Sequence, residues 1–123
     1  MKEDINKLKK LKEILEIIPN NYPDADFPVS FETSELTALC PFTKHPDFYT
    51  LIITYKPDKL LVELKSLKLY IEKFRDLRTT HETILNVIFE DFKSILLPKY
   101  LRIELKVNIR GGIKTTLHRE EGE

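Results

Sequence analysis

The sequence predicts an α+β domain in which helices pack on one face of an antiparallel sheet. Three observations predict it. Leu101, Ile103, Leu105, Val107 and Ile109 alternate with Arg102, Glu104, Lys106 and Asn108 and run into Gly111-Gly112, the pattern of a half-buried strand entering a hairpin. Phe48–Lys56 is rich in β-branched and aromatic residues. Between these strands lie two stretches whose apolar residues recur at steps of three and four, so helices are segregated from strands along the chain.

Taken in order, residues 3–18 carry Ile5, Leu8, Leu11, Leu15 and Ile18 at helical steps with lysines and glutamates between them. This predicts an amphipathic helix that fills an N-terminal segment, 1–20, and is stopped by Pro19. The proline-rich stretch 19–28 reads as a connector to a strand beginning near Val29. Phe48–Lys56 is a strand ended by Pro57-Asp58, and 59–65 is a short return segment. From Ser66 to about Arg75, Leu67, Tyr70, Ile71 and Phe74 have helical spacing. Thr79 and Glu82 form a capping-box pattern that opens a second helix, with Ile84, Leu85, Ile88, Phe92, Ile95 and Leu96 inward and Pro98 closing it. The strand at 101–109 then turns at Arg110-Gly111-Gly112 into a partner, Ile113–Leu117, and the charged tail 118–123 is expected to fray. Residues 1–123 read as a single domain. A sheet of about four strands leaves exposed edges, which association with further copies removes.

Composition narrows the function classes. The chain has 123 residues, with 20 basic against 20 acidic side chains, which gives no overall attraction to nucleic acid or anionic membrane. No apolar run approaches the length of a membrane span, and the charged N-terminus is unlike a secretory signal, so the cytoplasm is the expected compartment. A lone cysteine, Cys40, rules out an internal disulfide and fits reducing surroundings. With 3 glycines there is neither a dinucleotide-binding GxGxxG nor a phosphate-binding loop. Cys40, His45, His81 and His118 lack metal-ligand spacing, and no metal is expected.

Each residue able to carry chemistry also has a bland reading. Cys40, in Leu-Thr-Ala-Leu-Cys-Pro, sits where Pro41 favours a turn or loop, and free cysteines are more often small buried hydrophobes than nucleophiles. Asp47 reads as a turn residue ahead of the strand, and Glu63 with Lys65 and Lys68 as solvated surface charge. His81 reads as a first-turn surface residue, and Glu82 as the N3 member of the capping box.

Glu63-Leu64-Lys65-Ser66-Leu67-Lys68-Leu69-Tyr70 resembles the signature E-[SL]-K-[SA]-x-K-[LY]-[YFW] of the NADPH-dependent 7-cyano-7-deazaguanine reductases, the nitrile reductases of queuosine biosynthesis. The resemblance extends to Glu35–Pro41, Pro46-Asp47-Phe48, Phe74-Arg75, His81-Glu82 and Arg110–Ile113, and covers about residues 22–114 in the right order. It implies a tunnelling fold, shared with GTP cyclohydrolase I, whose sheets join as a barrel in ring assemblies, a decamer of two pentamers with active sites between subunits. It implies Cys40 as the nucleophile that forms a thioimidate with the nitrile and Asp47 as the proton donor. Glu63, with its neighbours Val62 and Leu64, and His81 and Glu82 are implied to recognise the flat deazapurine. Lys65, Ser66, Lys68 and, more weakly, Arg110 are implied to hold NADPH. The N-terminal segment matches no motif of the family. Two rival functions remain at this level: an amidinotransferase of the archaeosine pathway, which meets the same thioimidate with ammonia and lacks the Glu63–Tyr70 type of signature, and a non-catalytic purine- or pterin-binding module.

Overall fold

The computed structural model describes residues 1–123. Its framework is β4 (Pro46–Lys56), along which Asp47, Tyr49, Leu51, Ile53 and Tyr55 point into the protein while the intervening residues are more exposed. On one side β4 pairs antiparallel with β2 (Val29–Thr33) and, at its first residues, with β3 (Thr37–Leu39). On the other side it pairs with β6 (Tyr100–Arg110), which pairs with β7 (Ile113–Gly122). The sheet thus has 5 strands, in the order β2-β4-β6-β7 with β3 attached to β4. The extra strand, β3, is three residues long and too short for alternation to reveal.

Two helices supply the second layer, α2 (Leu64–Glu72) and α3 (His81–Leu96). A cluster of 25 buried hydrophobic residues joins them to the inner face of the sheet, with Tyr70, Phe74, Phe89 and Phe92 among its largest members. Tyr70 meets Phe74 and Phe92 edge-on, the arrangement aromatic rings prefer. No helix is long and apolar enough to cross a membrane.

The structure corrects the expected helix over 3–18. Helical structure is confined to α1 (Ile5–Leu8) and a 3₁₀ turn (Leu11–Ile14), after which β1 (Ile17–Pro19) pairs with β5 (Leu60–Val62). Leu8, Leu11 and Leu15 are buried as their spacing predicts, but Ile17 and Ile18 take the strand conformation that β-branched residues favour when a partner strand is offered. The tail 118–123 is corrected too: it is strand, not frayed. β7 continues to Gly122, Arg119 stacks on Phe89 at 4.1 Å, and Lys93 bridges to Glu121. Gly122, at φ +95°, passes so close to β6 that a Cβ would stand 2.1 Å from the Lys99 carbonyl oxygen, so only glycine lets the strand end there.

The start of α3 also departs from expectation. Thr80, not Thr79, is the N-cap: its hydroxyl accepts the Thr83 N–H at 3.2 Å. The N3 position therefore belongs to Thr83 and not to Glu82. The N-cap N–H, which a capping-box glutamate would take, donates instead to Glu3 at 2.8 Å. Thr79 is fully buried and pairs its backbone with Leu39.

Candidate active site

Four elements end at one cleft of about 350 Å³: the turn after β3, the start of β4, the N-terminus of α3 and the end of β6. It is lined by Cys40, Thr43, Asp47, His81, Glu82 and Arg110, among others. Pro41 turns the chain out of β3, and the Lys44 N–H closes a turn on the Cys40 carbonyl at 2.8 Å, with Lys44 itself in the left-handed region at φ 63°. Inside that turn the Thr43 hydroxyl, then the backbone N–H groups of Thr43 and Phe42, hydrogen-bond to Cys40 and hold its thiol below the ordinary value, with nearby Asp47 opposing them. Cys40 is a free cysteine and partly accessible.

Asp47 is an exception on the inner face of β4, a carboxylate buried to 4 % exposure. It is compensated by Arg110, whose guanidinium donates to its Oδ1 at 2.5 Å and to the Pro46 carbonyl at 3.1 Å. The register of β6 against β7 shifts between Val107 and Arg110, and this irregularity re-aims Arg110 toward β4. Arg110 thus stands with Cys40 and Asp47, apart from Lys65 and Lys68.

His81 begins α3, and its Nδ1 is 2.7 Å from the hydroxyl of Tyr49, which is itself almost inaccessible. Glu82 is exposed at the same cleft, and its side chain makes no hydrogen bond within the protomer. Sequence reasoning missed Tyr49 and Thr43. Tyr49 was within reach, since strand alternation puts it on the same face as Asp47 two residues earlier; nothing in the sequence marked the Thr43 hydroxyl.

The signature residues lie elsewhere. Glu63 is the N-cap of α2, and its carboxylate accepts the N–H groups of Lys65 at 2.6 Å and Ser66 at 2.8 Å, bonds that hold it below the usual carboxylate range. Val62 is buried, and its N–H donates to the Tyr55 hydroxyl at 3.2 Å; Leu64 is exposed. The Ser66 hydroxyl donates to the Glu63 carbonyl and accepts from Glu16 N–H, and the residue is buried. Lys68 and Arg75 line a groove of about 500 Å³ between β2 and α2, separate from the cleft that holds Cys40. From Asp47 to Tyr55, beside Val62, is eight residue steps of β4, about 26 Å at the usual strand rise. One protomer therefore does not bring Glu63 to Cys40.

An antiparallel sheet backed by two helices, with a partly accessible cysteine beside a buried carboxylate at one end, defines a protein of the tunnelling fold. The fold matches the crystal structure of an archaeosine synthase, QueF-Like, in the apo form, with a TM-score of 0.69 over 80 % of this chain and 94 % of that one; at 18 % identity the likeness is one of fold. The chain belongs to the QueF-like protein family, whose model matches residues 46–123. It is 50 % identical over 111 residues, 88 % of this chain and 80 % of the relative, to a NADPH-dependent 7-cyano-7-deazaguanine reductase of Nitrosospira multiformis. A protein of the same name from Syntrophus aciditrophicus is 43 % identical over 86 % of this chain and 76 % of its own length. A third, from Exiguobacterium sibiricum, is 48 % identical over 82 % of this chain, which spans 62 % of that relative.

Proposed function

We propose that this chain is a NADPH-dependent nitrile reductase that converts 7-cyano-7-deazaguanine to its aminomethyl form. The observation that carries the reading is the cleft itself: Cys40 in a turn that favours thiolate, with the Asp47–Arg110 pair beside it. A nitrile carbon is a poor hydride acceptor, and covalent addition activates it. Asp47 takes the proton of the Cys40 thiol as sulfur bonds to the nitrile carbon and passes it to the nitrile nitrogen, leaving a neutral thioimidate and the carboxylate as it began. Arg110 keeps Asp47 aimed at Cys40 throughout.

Glu82, free of any capping duty, accepts ring N–H groups of the deazapurine, with His81 next to it. Glu63 has spent one lone pair of each oxygen on α2 and keeps the others for the same planar edge. Because Glu63 is far from Cys40 in its own protomer, the complete site draws on two copies, which supports a ring assembly.

The residues fit NADPH through side chains and not through a helix N-terminus, since Glu63 already occupies the first N–H groups of α2. Lys65 and Lys68 are exposed on α2 and Arg75 follows it, and none of the three forms an ion pair, so they are available to phosphate groups. NADPH supplies hydride when bound. A cytoplasmic setting keeps Cys40 reduced.

The test is intact-protein mass spectrometry after incubation with 7-cyano-7-deazaguanine. The expected result is one adduct on Cys40, absent in Cys40→Ala, that is discharged to amine by NADPH and not to amidine by ammonia. Discharge by ammonia alone makes the protein an amidinotransferase, and turnover by Cys40→Ala removes the covalent route.

A further inference from the structure

Tyr49 belongs to none of the sequence motifs, and the reaction as derived above does not use it. We propose that Tyr49 is a positioning residue for His81: its hydroxyl donates to Nδ1 and so fixes the imidazole with its proton on Nε2, which is presented to the cleft as a hydrogen-bond donor. The inference rests on the reductase reading only for what that donor meets.

The geometry restricts the alternatives. Tyr49 is 1 % exposed, and the only hydrogen bond of its hydroxyl is the one to His81 at 2.7 Å. The rings meet edge-on, with centroids 5.5 Å apart and planes at 79°, so the imidazole is packed as well as bonded. His81 lines the cleft, and Nε2 has no partner within the protomer. A phenol has one proton to give, and here it stays in place. Burial first, then the negative charges available to Asp47 on β4, Cys40 after β3 and Glu82 on α3, push Tyr49 well above its ordinary value, against a smaller opposing effect from Arg110 on β6. A buried phenol whose hydroxyl faces only Nδ1 must donate to it or leave its own proton without an acceptor, and a neutral imidazole that accepts at Nδ1 carries its proton on the other nitrogen. Next to Glu82, which only accepts, this gives the cleft a donor–acceptor pair suited to a flat ring whose edge presents an acceptor next to N–H donors.

The experiment is ¹⁵N-detected NMR of the imidazoles in the substrate-free protein, which has 3 histidines, His45, His81 and His118, with His81→Asn for assignment. The expected result is an unprotonated Nδ1 and a protonated Nε2 at His81, with a slowly exchanging hydroxyl proton that disappears in Tyr49→Phe. A protonated Nδ1 in the wild-type protein overturns the proposal, and this readout needs no variant to fold and no substrate to bind. The second arm measures the dissociation constant of 7-cyano-7-deazaguanine for Cys40→Ala and for Cys40→Ala/Tyr49→Phe. A weakening of roughly fivefold or more is expected for one displaced hydrogen bond, and equal affinities overturn the positioning role. If Cys40→Ala binds no nitrile at all, the reductase reading fails and the tautomer alone decides the role of Tyr49.

Discussion

At the scale of the residue, the two carboxylates whose roles are least obvious give opposite expectations. Glu82 was explicable from sequence as a helix cap. The cap is Thr80 with Thr83, and Glu3 takes the Thr80 N–H, so α3 does not use Glu82 as a cap, and the one thing glutamine would take from the helix is a first-turn negative charge worth about 0.3–1 kcal/mol. Glu82→Gln should therefore lower the melting temperature only slightly. It should weaken nitrile binding at least tenfold, in line with about 1.5–3 kcal/mol for a hydrogen bond to a charged group, because glutamine presents an N–H where the ring also donates. Calorimetry in the Cys40→Ala background checks both halves, and unchanged affinity removes Glu82 from the site. Asp91 is the reverse case, buried beneath the N-terminal segment and accepting the Tyr70 hydroxyl at 2.7 Å. Burial pushes it up to about 6 from 3.8, against the Tyr70 bond and the attraction of Lys12. The folded protein therefore holds this proton to a higher pH than the unfolded chain does. Stability falls as pH rises from about 3.8 to about 6 and stays reduced above that range. Asp91→Asn, which still accepts from Tyr70, should flatten this slope and stabilise the protein at neutral pH by on the order of 2 kcal/mol. Denaturant midpoints across that pH range measure it, and a variant less stable at pH 7.5 refutes the sign.

At the scale of the element, legibility followed the range of the forces involved. β4, β6 and α3 could be read because a long element carries its own periodicity: apolar residues on every second position, or at steps of three and four. The chemistry-bearing cysteine, aspartate, glutamates and histidine were recognisable as motif residues, but which of them share a cleft was not, because that depends on which ends of strands meet. The N-terminal segment and the C-terminal strand were misread for one reason, that partners distant in sequence decide their conformation. Asp4 illustrates it. Its carboxylate accepts the Arg78 backbone N–H at 2.7 Å and the guanidinium at 3.0 and 3.3 Å, and its own N–H donates to the Arg78 carbonyl. These bonds tie residues 3–4 to the segment 77–80, which pairs with Leu39 just before Cys40 and leads into His81. The Arg78 side chain and backbone hold the Asp4 carboxyl at about 2, below the ordinary value of 3.8. Its stabilising effect is thus fully present above about pH 4 and is lost as pH falls through about 2. Asp4→Asn should lower the melting temperature at neutral pH, with a penalty that shrinks on acidification, and should speed amide exchange at Leu77 and Thr79. A penalty that does not vary with pH would mean that the carboxylate charge is not what holds the segment.

At the scale of the whole molecule, the directions of the sheet edges are compatible with the proposed ring assembly. β2 and β6 run opposite to β4, and β7 runs opposite to β6, so the two free edges, β2 and β7, point in opposite directions. Successive copies related by a rotation can therefore pair β7 of one with β2 of the next without reversing any strand, and every pairing around the ring is antiparallel. Closure of this kind removes both edges, which a sheet of this size otherwise leaves to aggregate. In the proposed assembly it would also give each Cys40 cleft a neighbour able to supply what its own chain holds about 26 Å away along β4: the Glu63 carboxylate and the lysines that follow it. The arrangement has a genetic consequence. Cys40→Ala and Glu63→Gln should each be inactive alone, and glutamine at 63 keeps one oxygen for capping α2, so both variants should assemble. Unfolded together in equal amounts and refolded into mixed rings, they should regain roughly a quarter of wild-type turnover, the share of interfaces at which an intact Cys40 faces an intact Glu63 under random assembly. Turnover that stays at the level of the separate variants, in rings shown by native mass spectrometry to be mixed, would mean that each protomer closes its site alone.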